Sequence, residues 1–429
     1  MTNTAPQNNS ISTYNQYKDT GIPWLGQIPA HWEVVRFKFL FKERNERSIM
    51  GNEDLLSVSQ YTGVTIKKHR ITEKELLTNA NSLEGYKIVK KKDLVSNIML
   101  AWNGSLGFSK YDGITSPAYS VYKLNEGNDS DFFHYLVRSE TYKSEFKRKS
   151  SGIIESRLRL YTEDFFNIYS ILPPKPEQTA IAHFLDRKTT QIDQAIAQKQ
   201  ALINRLKTYK QVLIQQAVTK GLNPDAPLKD SGVEWIGQIP AHWEVMRLKY
   251  LISFHKGKVP SVFYNEEKVN TLPYLSMEYL REENGKTQWV KNNGIKANYG
   301  DILLLWDGSN AGEFIKSKEG IVSSTLALLS FNEKYLVNNY TWYLVKIIEK
   351  ELRKGTVGMG IPHVNGDKLK NLQVFLPPKP EQTAIANFLD RKTTQIDHTI
   401  ALQEKEIKRL QTYKTVLIDQ AVTGKIKVI

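Results

Sequence analysis

Gly285-Lys286-Thr287 supplies the last three positions of a phosphate cradle of the form G-x-x-x-x-G-K-[ST], but its first glycine position holds Leu280. Gly355, Gly358 and Gly360 have the wrong spacing for a cofactor loop, and no buried strand immediately precedes them, so they read as a flexible loop rather than an S-adenosylmethionine pocket. The Pro173-Pro174 and Pro377-Pro378 pairs lack the flanking Asn or Asp and the aromatic residue of an amino-methyltransferase loop. The 8 histidines fall at no metal-ligand spacing, and with 0 cysteines there is no thiol nucleophile, disulfide or Cys-ligated zinc. His31 and His242 each precede a tryptophan, Trp32 and Trp243, which suits a structural or docking role. No catalytic constellation emerges.

Binding chemistry is better represented. A formal charge of +14 over 429 residues favours a polyanionic partner, and lysine and arginine contacts to phosphate give affinity that falls steeply with salt. Basic clusters occur at Lys67, Lys68 and Arg70, at Lys90 to Lys92, and at Lys147, Arg148, Lys149, Arg157 and Arg159. Reading a base edge needs Arg or Lys for guanine, Asn or Gln for adenine, and Asp or Glu for cytosine. In the first half the candidates are Gln60, Tyr61, Thr62, Lys67, Lys68, Arg70, Asn103, Ser105, Arg157 and Arg159. In the second they are Glu278, Tyr279, Lys286, Gln288, Asp307, Ser309, Asn310 and His363. Trp102 and Trp306 occupy equivalent places and are expected to pack their domains rather than stack on bases.

What must position these groups is written twice. Asp19 to Leu40 (DTGIPWLGQIPAHWEVVRFKFL) recurs as Asp230 to Leu251 (DSGVEWIGQIPAHWEVMRLKYL). Leu172 to Asp193 recurs as Leu376 to Asp397 with a single change, His183 to Asn387. Between these frames, residues 41–170 and 252–375 diverge. They mix short β-like runs (Leu55–Ser59, Tyr86–Val89, Asp301–Trp306, Ile321–Leu329) with helical spacing over Phe132–Lys147 and Tyr335–Lys354. Two different inserts in one frame imply one job performed at two related places. The fold class expected is α+β: two α/β domains separated by two long helices. The domains are placed at 16–173 and 222–377 after a disordered tail, 1–15, with helices at 174–221 and 378–425.

Proline fixes φ and lacks a donor, so helix begins near Glu177 and Glu381 and is stopped by Gly221 and Gly424. After Leu185, the spacing alternates four and three through Ile192, Ile196, Lys199, Ile203, Leu206, Lys210, Leu213 and Ala217, apolar but for the two lysines, and matches in the second copy. A helix of roughly 60 Å with so narrow a stripe needs a companion, and its own copy is the obvious one. A pseudo-twofold axis then makes the pair an antiparallel coiled coil. Lys199, Gln403, Lys210 and Lys414 interrupt the seam, either fixing register or snorkelling at its edge.

Two Pro-Pro-x-x-Glu-Gln-x-x-Ile-Ala helices, two Gly-x-Ile-Pro-x-His-Trp blocks and two variable domains resemble the specificity subunit of Type I restriction–modification systems. Trp102-Asn103-Gly104-Ser105 and Ser116-Pro117-Ala118-Tyr119 resemble the family's first-domain pattern; Ser323-Ser324-Thr325 departs from it in the second. The resemblance implies two target-recognition domains reading the halves of a split, asymmetric double-stranded DNA site. It further implies a helical spacer that docks two methyltransferase subunits, with two motor–nuclease subunits in the restricting complex. On that resemblance S-adenosylmethionine, ATP and Mg would belong to those subunits, and this chain is expected to bind no cofactor and not to be an enzyme itself. Half-site centres about one turn, roughly 34 Å, apart are shorter than the spacer, so the reading loops reach inward or the DNA bends.

Because the frames repeat so closely, Trp24, Trp32, Trp235, Trp243, Glu177, Gln178, Glu381 and Gln382 are candidates for docking two copies of one partner. The alternative is that each frame ties its domain to the helices. Two rival functions remain, a self-sufficient methyltransferase or nuclease and a coiled-coil adaptor whose end domains bind proteins. The polar N-terminal stretch and the absence of any long apolar run suit a cytoplasmic protein with no membrane partner.

Overall fold

A computed structural model of the chain describes residues 12–67, 82–154, 157–282, 286–354 and 362–428. It divides into two units, residues 1–200 with 404–429, and residues 201–403. The helices are α1 (Ser130–Val137), α2 (Glu140–Lys149), α3 (Thr162–Phe166), α4 (Lys175–Lys220), α5 (Met277–Arg281), α6 (Asn338–Lys354), α7 (Gly366–Asn371) and α8 (Lys379–Val422). None among the described residues is long and apolar enough to cross a membrane. α4 has 46 residues and α8 has 44, each beginning one residue before a proline. Proline is tolerated there because the first-turn N–H groups have no partner within the helix.

In the first unit an antiparallel sheet runs Phe41–Glu43, Ser120–Leu124, Asp93–Ser96, Leu106–Phe108 in spatial order. Buried Phe37, Phe41, Tyr122, Phe133, Tyr142, Phe146 and Phe165 form its core, with the Tyr122 and Phe165 rings stacked at 4.5 Å. Such rings dominate core energetics through their large buried area. The helical segment expected over 132–147 is two helices. Ser139 caps α2 by accepting from Tyr142 N, and a capping serine ends one helix as it starts the next. Glu33–Arg36 pairs antiparallel with Tyr169–Leu172, which carries the chain into the start of α4. There Ile181, Leu185 and Ile192 of α4 are buried with Leu417, Ala421 and Val422 of α8. Burying each of the Ile, Leu and Val side chains contributes about 1.5–3 kcal/mol. Lys414 reaches the Asp193 carboxylate at 2.7 Å, while a Cβ on Gly424 would lie 2.5 Å from Pro29 Cδ and 3.0 Å from Trp32. Gly424 has φ +72°, so both conformation and space select glycine.

The second unit repeats the sheet order with Ile252–Lys256, Leu326–Phe331, Ile302–Leu305 and Phe314–Lys316. A further sheet, Trp289–Lys291, Thr271–Leu275, Gly320–Val322, Lys296–Ala297, packs on a small core of Leu275, Ala297, Leu303, Leu305, Val322 and Leu326. The strand expected over 321–329 is two, because Leu326 N turns back to Ser323 O beside the Ser323–Thr325 hydroxyl contact. Ala217 and Val218 of α4 are buried with Ile385 and Leu389 of α8, and Lys210 bonds Asp397 at 2.6 Å. The seam lysines 210 and 414 therefore each end on a carboxylate.

One carboxylate fastens each frame to its helix. Glu177 accepts from Trp32 Nε1 at 2.9 Å and Tyr14 OH at 3.1 Å, and its other oxygen meets His31 Nε2 at 2.5 Å. Glu381 accepts from Trp243 Nε1 at 3.0 Å and meets His242 Nε2 at 2.8 Å. Gln178 donates to Pro173 O and accepts from Asp129 N; Gln382 donates to Pro377 O and accepts from Val337 N. The tail expected through residue 15 is corrected here. Tyr14 is buried against His31 and Trp32, and Ser12 pairs with Lys427, so order extends to the first described residue. Replacing Glu177 by Ala strands the indole and phenol donors. We expect Glu177→Ala to lower the stability of the first unit by about 1–3 kcal/mol, read by denaturant unfolding.

His134 of α1 supports the hairpin Leu56–Ser59/Gly63–Ile66 from below. Its Nδ1 accepts from Phe108 N at 3.2 Å, and a Cβ on Gly63 or Gly107 would come within 3.2 or 3.1 Å of its ring. Burial, reinforced by Arg138 and Lys110, pushes its pKa down to about 3. Above about 6.5, the ordinary histidine value, neither folded nor unfolded chain is protonated here. Below it the unfolded chain takes up a proton that the folded unit refuses until about pH 3, so stability falls as pH drops through this window. At pH 5 the loss relative to pH 7 should reach up to about 2 kcal/mol, and His134→Gln should flatten that dependence in parallel unfolding curves.

Candidate nucleic-acid interface

Three loops of the first unit meet on one face. The hairpin tip carries Gln60, Tyr61 and Thr62, all exposed, with Tyr61 83% exposed. The loop after strand Asp93–Ser96 carries Asn103 and Ser105, closed by Gly104 at φ +94°. Ser151 and Arg159 pair through their backbones, and Arg157 and Arg159 are exposed. Leu160 N donates to Ile98 O at 2.9 Å, tying this segment to the second loop. Arg138, between α1 and α2, donates to carbonyls of the first two loops, Gln60 O and Leu106 O at 2.7 Å each.

Within that face the candidates differ in what they offer. Asn103 is half-buried and accepts from the Ser105 hydroxyl at 2.9 Å, and Ser105 is itself buried. Ser105 as a base contact is thus corrected: its hydroxyl is spent shaping the turn. Lys67 lies at the foot of the hairpin, its N bonded to Leu55 O, about four strand residues or roughly 13 Å from the tip. Lys68 and Arg70 lie outside the described residues. The Lys90–Lys92 turn precedes strand Asp93–Ser96, at the opposite end of that strand from the Asn103 loop. Trp102 packs as expected, its Nε1 donating to Met99 O and its ring 5.3 Å from Lys147 Nζ.

The second unit builds a different face. The loop after strand Ile302–Leu305 is clamped against residues 362–364 by Gly308 N to Pro362 O at 3.0 Å and Val364 N to Trp306 O at 2.9 Å. Asp307, Ser309, Asn310 and His363 are brought together there, Ser309 and His363 being exposed. Lys256 Nζ holds Asp307 at 2.7 Å, and Arg353 Nη2 donates to Asn310 Oδ1 at 2.8 Å. These two candidates are therefore engaged within the unit. Glu278 and Tyr279 lie on α5, which Arg281 ties to Glu313 at 2.7 Å, beside the same loop. Tyr279 is half-buried, with its carbonyl accepting from Lys318 Nζ at 2.6 Å and its ring 4.4 Å from that ammonium. Lys286 and Gln288 are exposed just before strand Trp289–Lys291.

Sequence reasoning missed Arg138, Lys256, Arg281 and Arg353. Most of what they hold is backbone or a distant side chain, and no local spacing marks such a contact. The docking set also divides. Trp32, Trp243, Gln178 and Gln382 are fully buried, and Glu177 and Glu381 are spent on the Trp and His donors described above. A partner cannot reach the four buried residues, which corrects their assignment in favour of internal ties. Trp24 is half-buried, edge-on to Tyr142 at 5.2 Å. Trp235 lines a half-open groove of about 970 Å³ with Ile214, Trp342 and Ile347, rimmed by Lys220 and Lys350. Among the described residues no group of three or more His, Asp or Glu side chains could hold a metal ion.

The arrangement offers exposed polar tips on a rigid frame, twice, with different chemistry on each tip. A family model for the Type I restriction modification DNA specificity domain matches residues 29–207 and again 240–412. The Type I restriction enzyme MjaVIII specificity subunit of Methanocaldococcus jannaschii is 41% identical over 178 residues, 41% of this chain and 41% of that protein. The putative type I restriction enzyme MjaX specificity subunit of the same organism is 24% identical over 438 residues, covering 94% of this chain and 96% of that protein. The crystal structure of the HsdS subunit from Thermoanaerobacter tengcongensis shares the fold with a TM-score of 0.57 and 18% identity, over 93% of this chain and 98% of that one. A chain from work on complex assembly and conformational transition of the type I R-M system aligns with a TM-score of 0.71 and 17% identity, covering 92% and 98%. With both halves matched, the chain belongs to the Type I restriction modification DNA specificity family.

Proposed function

We propose that this chain is the non-catalytic, DNA-reading subunit of a Type I restriction–modification enzyme. In this reading residues 16–173 and 222–377 are target-recognition domains, each reading one half of a split, asymmetric site. The observation that carries it is the recurrence of one strand order in both units with dissimilar exposed tips, Gln60–Thr62 and Arg157–Arg159 in one, Ser309 and His363 in the other. One frame with two tips suits two different half-sites. α4 and α8, residues of each belonging to both units, would form an antiparallel coiled-coil spacer with pseudo-twofold symmetry.

Methyl transfer from S-adenosylmethionine and the ATP- and Mg-dependent steps would belong to methyltransferase and motor–nuclease subunits docked on this scaffold, two of each. The groove around Trp235, apolar below and basic at its rim, supports a docking role for that face of the second unit. Purified alone with labelled S-adenosylmethionine and DNA, the chain should transfer no label; mixed with its methyltransferase partner, it should direct label to one bipartite motif. Label transferred by the chain alone would overturn the reading. In that complex, Arg157→Gln combined with Arg159→Gln should weaken binding to the cognate duplex at least tenfold, read by gel shift at fixed salt.

A further inference from the structure

Arg138 is placed where no reading of the sequence would look. It follows α1 and precedes the Ser139 cap of α2, where the helical carbonyl ladder is interrupted and a side chain can turn away from both helices. Its Nη1 donates to Leu106 O at 2.7 Å, Gly104 O at 3.0 Å and Ser59 O at 3.4 Å. Its Nη2 donates to Gln60 O at 2.7 Å and Tyr61 O at 3.3 Å. All five acceptors are backbone carbonyls, three on the hairpin tip and two on the neighbouring loop. Burial pushes its pKa below the ordinary arginine value, so the charge is held where water does not compete well for it.

We propose that Arg138 is a positioning residue for sequence reading: its guanidinium locks the Ser59–Tyr61 tip to the Gly104–Leu106 loop, so that both present their base-contacting groups in one fixed geometry. The inference rests on the first unit being a half-site reader and adds what sets its precision. A base contact discriminates only if the donor is held to within a fraction of an ångström, and the two loops come from different strands with separate connections. A planar fork with donors on two nitrogens addresses all five carbonyls in one fixed orientation; a lysine ammonium, with three donors at one point, meets at most three of them and fixes no plane. The neutral His134 ring beneath Gly63 and Gly107 packs the same junction without adding a second charge. In the second unit the corresponding loop is held differently, through the side chains of Asp307 and Asn310, so the effect belongs to the first half-site alone.

The test uses the complete methyltransferase complex carrying wild-type chain or Arg138→Lys, with methylated positions mapped across a genome. Wild type should give one bipartite motif. Arg138→Lys should keep the second half intact while discrimination at the first half falls at least tenfold, with thermal unfolding within a few degrees of wild type. An unchanged motif from Arg138→Lys would overturn this proposal alone; a wild-type complex methylating no bipartite motif would overturn the half-site reading as well. Hydrogen exchange on the wild-type complex gives a check that does not need the variant to fold. Amides of residues 59–66 and 97–108 should open together, and independent opening of the two loops would contradict the lock.

Discussion

In each unit a single carboxylate, Glu177 or Glu381, sits in the first turn of a long helix and accepts the indole N–H of a fully buried tryptophan. Everything else is hung from that bond. The helix start favours a negative charge through its unpaired N–H groups and dipole. The tryptophan brings with it the strand Glu33–Arg36 or Glu244–Arg247, which pairs with the strand leading into the same helix. The loop from frame to variable sheet to helix is thereby closed, and the tips at its far side have a fixed base. Leaving such a carboxylate or indole unpaired inside the unit would be far more expensive than making the bond is favourable, which explains why the block carrying it is written twice almost unchanged.

How much of this was legible beforehand follows from the range of the interactions. The long helices were plain because proline, the four–three apolar alternation and the terminal glycines are local signals. Short strands such as Leu56–Ser59 and Ile302–Leu305 showed in their apolar runs. The break between α1 and α2 was invisible because Phe132, Leu136, Tyr142 and Phe146 keep a nearly helical spacing across it; only the Ser139 cap separates them. The division of 320–331 into two strands depends likewise on a three-residue turn. Trp32, Trp243, Gln178 and Gln382 read as docking anchors because repetition alone does not distinguish a surface kept for a partner from a bond kept for the fold. Burial decides it.

The candidate reading faces divide in the same manner. Exposed Tyr61, Arg157 and Arg159 could be picked by residue type and loop position. Ser105, Asp307 and Asn310 have the right chemistry for bases, yet each is already engaged: by Asn103, by Lys256 and by Arg353. Arg138 has base-reading chemistry too, yet it lies between two helices and its guanidinium is bonded to the carbonyls of the tips, holding them in place. On the proposed reading, specificity would be divided between groups that touch bases and groups that aim them, and only the former advertise themselves in the sequence.

The account stands on two separable reading heads. Exchanging residues 41–170 for those of a homologue with a different target, then mapping methylated adenines made by the complex, tests that separation most directly. The account predicts that one half of the motif changes and the other half is retained. A change in both halves, or in neither, would contradict it.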